Sequence, residues 1–214
     1  MTGRLIVLDV DSTLITAEVI ELIAKRAGTE AEVAAVTDAA MRGEIDFAES
    51  LRQRVATLEG IPDTVFAEVL DEVRLTPGAE NLVTTLQREG WTTALVSGGF
   101  VEVVAPLAAR LGIERFRANS LEVADARLTG RTTGPVIDRA AKADALREFC
   151  AELGITPADA VAVGDGANDL DMMAAAGLGI AFNAKPVVQA QADVAINAER
   201  LDAVLEVLDS SSPR

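Results

Sequence analysis

The sequence predicts an α/β fold with a parallel sheet and a helical insertion after the first strand. Short runs rich in Val, Ile, Leu and Ala lie at residues 5–8, 93–96, 160–163 and 178–182, with helical patterns between them. Apolar runs of this kind are typical of buried parallel strands joined by crossover helices. The segment 9–92 is far longer than an ordinary crossover, so an inserted unit is expected there.

The insertion is predicted to be helical throughout, because glycines separate four segments that have helical patterns. We therefore expect a lid of four helices at 16–74, inserted into a core formed by residues 1–15 and 75–214. The predicted helices are residues 18–27, 30–42, 47–59 and 63–74. A fifth strand at Val194–Ile196 and an antiparallel hairpin at 118–131 complete the predicted sheet.

The composition excludes several kinds of site. The chain of 214 residues contains no histidine and a single cysteine, Cys150. A serine–histidine–aspartate site, a histidine-ligated metal, an intrachain disulfide and a cysteine-cluster zinc site are therefore ruled out. Acid–base chemistry is left to carboxylates, lysine or metal-bound water.

The charge balance is strongly acidic, with 19 Lys and Arg against 34 Asp and Glu and a formal net charge of −15. Such a surface repels nucleic acid and anionic lipid, so neither is an expected partner. No apolar run has the length of a membrane span, and the N-terminal residues lack the cleavage site of a signal peptide. These observations predict a reduced, cytoplasmic protein.

Two acids follow the first predicted strand. Asp9 and Asp11 are two residues apart, so in an extended segment their side chains point the same way. They would meet at the sheet edge where open α/β folds bind ligands, and their repulsion would raise one pKa or recruit a cation. The alternative is a solvated turn in which Ser12 or Thr13 caps the next helix.

Two further features could hold an anion. The segment Ser97-Gly98-Gly99 combines a hydroxyl and accessible backbone N–H groups with the start of a helix, although a plain small-residue turn is the alternative. Lys142 lies near the start of a later helix, where positive charge is unfavourable, and on the same face as Leu146. This lysine either extends its amine to solvent or needs an anion.

A fourth motif, Gly-Asp-Gly-Ala-Asn-Asp at residues 164–169, follows the third strand. Its glycines allow close backbone approach, and acids without nearby His or Cys favour Mg²⁺. A helix-capping turn is the alternative. Because the carboxyl ends of parallel strands meet, the motifs together predict one site with a metal, an anion cradle and a candidate nucleophile.

The motifs resemble, in the same order, those of the haloacid-dehalogenase-like phosphatases, over residues 4–207. The resemblance implies a Rossmann-like parallel sheet core with a four-helix cap inserted after the first strand. The motif forms are most similar to members that hydrolyse O-phospho-L-serine in L-serine biosynthesis. It therefore implies a cytoplasmic, Mg²⁺-dependent phosphomonoester hydrolase whose partner is a small-molecule substrate.

The resemblance also implies a role for each motif residue. Asp9 is the nucleophile that forms an aspartyl-phosphate, and Asp11 is first the general acid and then the general base. Mg²⁺ is held by Asp9, the backbone carbonyl of Asp11 and Asp165, and Asp169 supports this metal shell. The residues that hold the phosphoryl oxygens are Ser97, Gly98, Lys142 and Asn168.

Substrate selection is expected in the cap. By resemblance, Glu18 contacts the serine amine and Arg54 contacts the carboxylate, while Met41 and Phe47 form apolar walls. Arg54 has independent support, because it falls within the apolar stripe of its helix, where a charge without a partner is costly. Arg26 falls similarly on the first cap helix, and an acid such as Glu18 also favours a first helical turn.

Several alternatives stay open at this point. One is a phosphotransferase that moves phosphate from phosphoserine to another alcohol, or a phosphatase of another small phosphomonoester. Another is a phospho-accepting receiver domain, which the long insertion and the proximity of Asp11 to Asp9 disfavour. A non-catalytic acidic interaction protein would not need all the motif residues. No regulatory domain is expected before residue 4, and oligomeric state is open.

Overall fold

The computed structural model describes residues 4–41 and 44–211, apart from the side chains of Met41 and Ser211. The strands in these ranges are β1 (Arg4–Leu8), β2 (Trp91–Phe100), β3 (Arg115–Ala124), β4 (Arg127–Thr133), β5 (Ala160–Gly164), β6 (Leu178–Phe182) and β7 (Val194–Ile196). They form one sheet in the order β4-β3-β2-β1-β5-β6-β7, in which β3 and β4 pair antiparallel and the other pairs are parallel. The predicted α/β class is confirmed, and so is the predicted hairpin.

Burial on both faces explains why β1 is a continuous apolar run. Ile6 and Leu8 pack into one cluster of buried side chains, and Leu5 and Val7 pack into a second cluster. Because successive strand residues point to opposite faces, the two clusters cover the two faces of the sheet. The sheet is therefore buried at its centre, and its accessible chemistry lies at the strand ends.

Four helices lie between β1 and the rest of the sheet, as expected for the insertion. They are α1 (Val19–Ala27), α2 (Glu30–Met41), α3 (Phe47–Ala56) and α4 (Val65–Glu72). α1 ends at Gly28, whose φ of 72° is the left-handed conformation typical of a glycine after a helix. The division of the chain into a cap at 16–74 and a core stays a prediction.

Among the described residues, backbone pairing closes the base of the insertion and also attaches it to β4. One antiparallel bridge joins Ile15 to Leu75, where the chain enters and leaves the insertion. The linker between α3 and α4 also pairs with β4, since Gly60 N donates to Leu128 O and Leu128 N donates to Ile61 O, both at 2.8 Å. The sequence did not predict this second attachment.

The remaining α-helices lie before, between or, for the last of them, after the strands β2 to β7. They are α5 (Ala79–Arg88), α6 (Val101–Arg110), α7 (Arg139–Leu153), α8 (Leu170–Ala175), α9 (Pro186–Gln189) and α10 (Val204–Ser211). Among the described residues, none of the helices has the length and apolarity that a bilayer crossing needs.

Candidate active site

Three neighbouring strands bring the predicted motifs to one edge of the sheet. β1 lies between β2 and β5, so Asp9 after β1 lies between Ser97 near the end of β2 and Asp165 after β5. Lys142 joins them from the first turn of α7. Asp9, Asp11 and Asp165 line a cavity of about 950 Å³ that the cap helices also line.

Lys142 is the buried cation of this site. Its side chain is fully buried, and its Nζ donates to Oδ1 of Asp9 and, at 2.6 Å, to Oδ1 of Asp169. Burial by itself lowers the pKa of Lys142, but the charges of Asp169 and Asp9 outweigh that effect and hold the pKa above its usual value. The alternative of a solvent-extended lysine is therefore wrong, because Lys142 pairs with buried acids.

Asp9 is buried, and other carboxylates lie near it. Its backbone N–H donates to Val163 O on β5 at 2.9 Å, and the residue is 3% exposed. Burial raises the pKa of Asp9 well above its usual value, the charge of Asp169 raises it further, and Lys142 opposes both. The ionised, nucleophilic form of Asp9 is therefore favoured by any further positive charge that binds here.

The donor set suits a hard divalent cation. One carboxylate oxygen each of Asp9, Asp165 and Asp169 lies within 4.8 Å of the other two. Burial and then the charge of Asp169 raise the pKa of Asp165 to about 6, although Thr13 Oγ1 donates to its Oδ1 at 3.1 Å. Three acids this close repel one another, and an all-oxygen set is the kind that Mg²⁺ prefers, so the residues fit the predicted metal.

Asp11 has different partners from Asp9. Its Oδ1 accepts from Val19 N at 2.9 Å, and its Oδ2 accepts from Ser97 Oγ at 3.1 Å. Asp11, rather than Ser12 or Thr13, therefore bonds to the first N–H of α1. Burial and the charge of Glu18 raise the pKa of Asp11 to about 7, so at neutral pH this carboxyl group can both release and accept a proton.

Asp9 and Asp11 both have extended backbone angles, with ψ of 157° and 131°, but the continuous extended segment expected for residues 9–11 is interrupted at Val10. The chain turns at Val10–Leu14, and Ser12 has a φ of 58°, a left-handed conformation that is uncommon outside glycine. This turn separates the hydrogen-bond partners of the two acids, although both still line the cavity. Ser12 Oγ donates to Glu18 Oε1 at 2.7 Å, a contact that the sequence did not predict.

Close packing leaves no space for a side chain at Gly99 and little at Gly98. A Cβ on Gly99 would lie 2.5 Å from Asp11 Oδ2, and a Cβ on Gly98 would lie 3.2 Å from the Phe47 ring. Ser97 is fully buried, and its Oγ accepts from Gly99 N at 2.8 Å. The backbone of Gly98 and Gly99 thus lines the cavity, and the adjacent Ser97 hydroxyl is buried.

The cap places Glu18, Phe47 and Arg54 around the same cavity, and the core places Asn168 there. Arg54 is half-buried, and its Nε donates to Ser50 O at 3.3 Å. Burial lowers the pKa of Arg54, and the charges of Glu18 and Asp11 oppose this shift. The Arg54 guanidinium therefore lies in the same cavity as the acidic motifs, close enough to Glu18 and Asp11 to interact with their charges.

The structure separates Arg54 from its competitor on the first cap helix. Arg26 Nη2 lies 2.7 Å from Glu72 Oε2, and its Nε lies 3.3 Å from Glu68 Oε2. Arg26 is thus paired within the cap and is not among the residues that line the cavity. Met41 is the one predicted site residue whose side chain lies outside the described residues.

Besides Arg54, the described residues that line the cavity include two cations that sequence reasoning did not place there, Arg139 and Lys185. Arg139 is also paired with Asp171 at 2.5 Å. The available signal was spacing, because Arg139 precedes Lys142 by three residues and shares its helix face.

Comparison with known proteins gives the class. The haloacid dehalogenase-like hydrolase pattern matches residues 6–174, a stretch that includes Asp9, Ser97, Lys142 and Asp169. The buried ion pair between Asp9, after β1, and Lys142, on α7, agrees with this match. The chain belongs to the haloacid dehalogenase-like hydrolases.

Its relatives point to a narrower group within that class. A phosphoserine phosphatase of Mycobacterium tuberculosis is 54% identical over 207 residues, which are 97% of this chain and 51% of the relative. A phosphoserine phosphatase of Lactococcus lactis is 48% identical over 205 residues, 96% of this chain and 95% of the relative. The chain thus spans about half the length of some curated relatives and nearly all of others.

Solved structures agree with the sequence relatives. A structure described as a phospho-aspartyl intermediate analogue of phosphoserine phosphatase superposes with a TM-score of 0.91 at 40% identity, covering 97% of this chain and 99% of that one. A substrate-bound phosphoserine phosphatase complex gives the same score, identity and coverage. The fold predicted from the family resemblance is confirmed.

Proposed function

We propose that this chain hydrolyses O-phospho-L-serine to L-serine and phosphate through an aspartyl-phosphate on Asp9. The observation that supports this most is the composition of one cavity. It holds the acids Asp9 and Asp11 at one end and, from the cap, Glu18 and Arg54. A carboxylate and a guanidinium complement the ammonium and carboxylate groups of an amino acid.

The first chemical step uses both acids of the first motif. A carboxylate oxygen of Asp9 attacks phosphorus, and the bond between phosphorus and the serine oxygen breaks. Asp11, protonated in part because its pKa is about 7, donates its proton to the leaving serine oxygen. The products of this step are L-serine, an aspartyl-phosphate and an ionised Asp11.

The second step reverses the role of Asp11. Its carboxylate takes a proton from a water molecule, whose oxygen attacks phosphorus and breaks the bond to Asp9. Inorganic phosphate leaves, and both acids return to their starting states. The residues proposed to hold the phosphoryl oxygens through both steps are Ser97, Gly98, Lys142 and Asn168.

The proposed cofactor is Mg²⁺, held by Asp9, the Asp11 backbone carbonyl and Asp165, with Asp169 in support. When bound, the ion supplies positive charge that offsets the acids and the phosphoryl oxygens. Lys142 contributes further positive charge, because it pairs with both Asp9 and Asp169.

The proposed recognition of the serine group belongs to the cap. Glu18, oriented by Ser12, would accept from the substrate ammonium group, and Arg54 would bind its carboxylate. Phe47, beside Gly98, and Met41 would pack against the short aliphatic part. A small-molecule substrate and a cytoplasmic location also accord with the net charge of −15, which disfavours nucleic acid and anionic lipid.

Phosphate release from O-phospho-L-serine, assayed with Mg²⁺ and with a chelator, tests the proposal. We expect release only with the metal, together with one equivalent of L-serine. Homoserine added as a second acceptor separates hydrolysis from phosphotransfer, because a transferase would form phosphohomoserine in place of inorganic phosphate. No turnover of phosphoserine, with turnover of another phosphomonoester, would refute the proposed substrate.

A further inference from the structure

We propose that Asn119 is a positioning residue that holds the phosphoryl-binding segment Ser97-Gly98-Gly99 in its working conformation. The proposal rests on the proposed phosphatase function, since it concerns the same site. Asn119 lies on β3, 2% exposed, and is not one of the predicted site residues. Its side chain reaches two separate parts of the site.

Asn119 bonds to two backbone groups at once. Its Nδ2 donates to Gly98 O at 2.8 Å, and its Oδ1 accepts from Ile137 N at 2.8 Å. A carbonyl oxygen can only accept and a peptide N–H can only donate, so a single orientation of the amide satisfies both. The side chain is therefore a fixed link between β2 and the segment before α7.

The irregular pairing of β2 explains why a side chain is needed here. The register between β2 and β3 shifts between Val96 and Phe100, and Phe100 then pairs with Asn119. A shifted register interrupts the ladder of backbone hydrogen bonds, so a carbonyl within it needs another donor. The amide of Asn119 supplies that donor to Gly98 O.

The Gly98 carbonyl controls the orientation of Ser97. In a planar trans peptide, Gly98 C=O and Gly99 N–H point in opposite directions, so anchoring the carbonyl fixes the N–H. Gly99 N donates to Ser97 Oγ at 2.8 Å, and Ser97 Oγ donates to Asp11 Oδ2 at 3.1 Å. A series of hydrogen bonds thus runs from Asn119 through Gly98, Gly99 and the buried Ser97 hydroxyl to Asp11, which lines the cavity.

The second bond extends the link to Lys142. Ile137 directly precedes Asp138, whose Oδ1 accepts from Ala141 N at 2.9 Å and caps α7. The cap fixes the first turn of the helix, which contains Lys142. Asn119 therefore ties together two of the elements proposed to bind the phosphoryl oxygens, without contacting the cavity itself.

Two variants test this role. Asn119→Asp keeps the acceptor for Ile137 N but presents oxygen to Gly98 O, and Asn119→Leu removes both bonds at similar volume. We expect each to lower kcat about 10- to 100-fold, the size of effect that a displacement of about 1 Å produces. Inhibition by inorganic phosphate should weaken in parallel, and p-nitrophenyl phosphate and phosphoserine should lose equal factors.

Leu121→Ala is the matched control for a purely structural effect. Leu121 is buried on the same strand, two residues further along, and packs in the apolar core. We expect this variant to melt at a lower temperature and yet keep kcat and phosphate inhibition within about threefold of wild type. Asn119→Ser, which removes the same donor without added bulk or charge, replaces either Asn119 variant that fails to fold.

The proposal is overturned if Asn119→Asp keeps wild-type kcat and phosphate inhibition. It is also overturned if the Asn119 variants lose no more activity than Leu121→Ala. Because p-nitrophenyl phosphate and inorganic phosphate contain no serine group, these readouts do not depend on the natural substrate. A wild-type protein that cleaves p-nitrophenyl phosphate but not phosphoserine would refute the substrate proposal alone.

Discussion

The two ends of the active-site cavity are built differently. At the core end, Lys142 and Asp169 are fully buried, and Asp9 is 3% exposed and bonded to Lys142. At the cap end, Glu18, just before α1, and Arg54, on α3, are half-buried and line the cavity. The charged side chains of the core end are thus held in place before a substrate binds. The polar side chains of the cap end stay accessible to a substrate.

From this difference we expect the core end to carry out the chemical steps and the cap end to select the substrate. In the proposed function, the preorganised charges at the core would act on the phosphoryl group, which every phosphomonoester has. The cap residues would act only on the group attached to it. Substitutions at the core should therefore affect all substrates alike, and substitutions in the cap should affect phosphoserine selectively.

The largest effect is expected from Asp9→Asn. Loss of the nucleophile should reduce kcat at least about 10⁴-fold on both phosphoserine and p-nitrophenyl phosphate, because an amide at this position lacks the nucleophilic carboxylate. Steady-state assays with Mg²⁺ measure it. Asp144→Asn, an exposed acid-to-amide change on α7, is the control and should keep activity within about twofold. Near-normal turnover by Asp9→Asn would refute the mechanism.

A smaller and selective effect is expected from Arg54→Ala. Loss of a charge-assisted hydrogen bond should lower kcat/KM for phosphoserine about 10- to 100-fold. Phosphoethanolamine, which lacks the carboxylate, should lose less than about threefold. The matched control is Arg26→Ala, because Arg26 is paired with Glu68 and Glu72 away from the cavity. Equal loss on both substrates would remove Arg54 from carboxylate recognition.

The smallest effect concerns stability rather than rate. The folded-state pKa of Asp165, about 6, lies above its ordinary value of 3.8. Its contribution to stability is therefore fully present below pH 3.8 and is lost as pH rises through 6. In metal-free solution Asp165→Asn, which cannot ionise, should melt on the order of 5 °C above wild type at pH 7 and equal it near pH 4.

With saturating Mg²⁺, wild type should melt at a higher temperature than Asp165→Asn. The ion stabilises wild type by binding to it, whereas the variant lacks one of the proposed ligands. Thermal melts with and without the metal measure the difference in melting temperature between the two proteins under each condition. A variant that is less stable than wild type at pH 7 in the absence of metal would show that Asp165 is not strained by its acidic neighbours.

The two ends also differ in how well the sequence predicted them. The core motifs follow apolar strands, and the convergence of parallel strand ends brings Asp9, Ser97 and Asp165 together without further information. The cap helices were predicted to within three residues at their ends. Helical spacing could not distinguish Arg54 from Arg26, because only the tertiary contacts with Glu68 and Glu72 remove Arg26 from the cavity.

Other features depend on non-local contacts that no local pattern encodes. The left-handed turn at Ser12 gives Asp11 its own partners, which alternation along a strand does not predict. Asn119 lies within a strand of mixed burial, and its importance comes from Gly98 and Ile137, residues distant in the chain. The pairing of Gly60 with Leu128 likewise joins segments whose sequences give no sign of it.

The phosphorylated form of Asp9 can be trapped and identified. Asp11→Asn is mixed with p-nitrophenyl phosphate and Mg²⁺, quenched in acid, and analysed by peptide mass spectrometry. Because p-nitrophenolate leaves without a proton, Asp9 should be phosphorylated quickly, while hydrolysis, which needs Asp11 as base, should be slowed about 10²- to 10⁴-fold. We expect a burst of one nitrophenolate per chain, with phosphate on Asp9. Turnover without a phosphorylated chain, or phosphate on another residue, would contradict it.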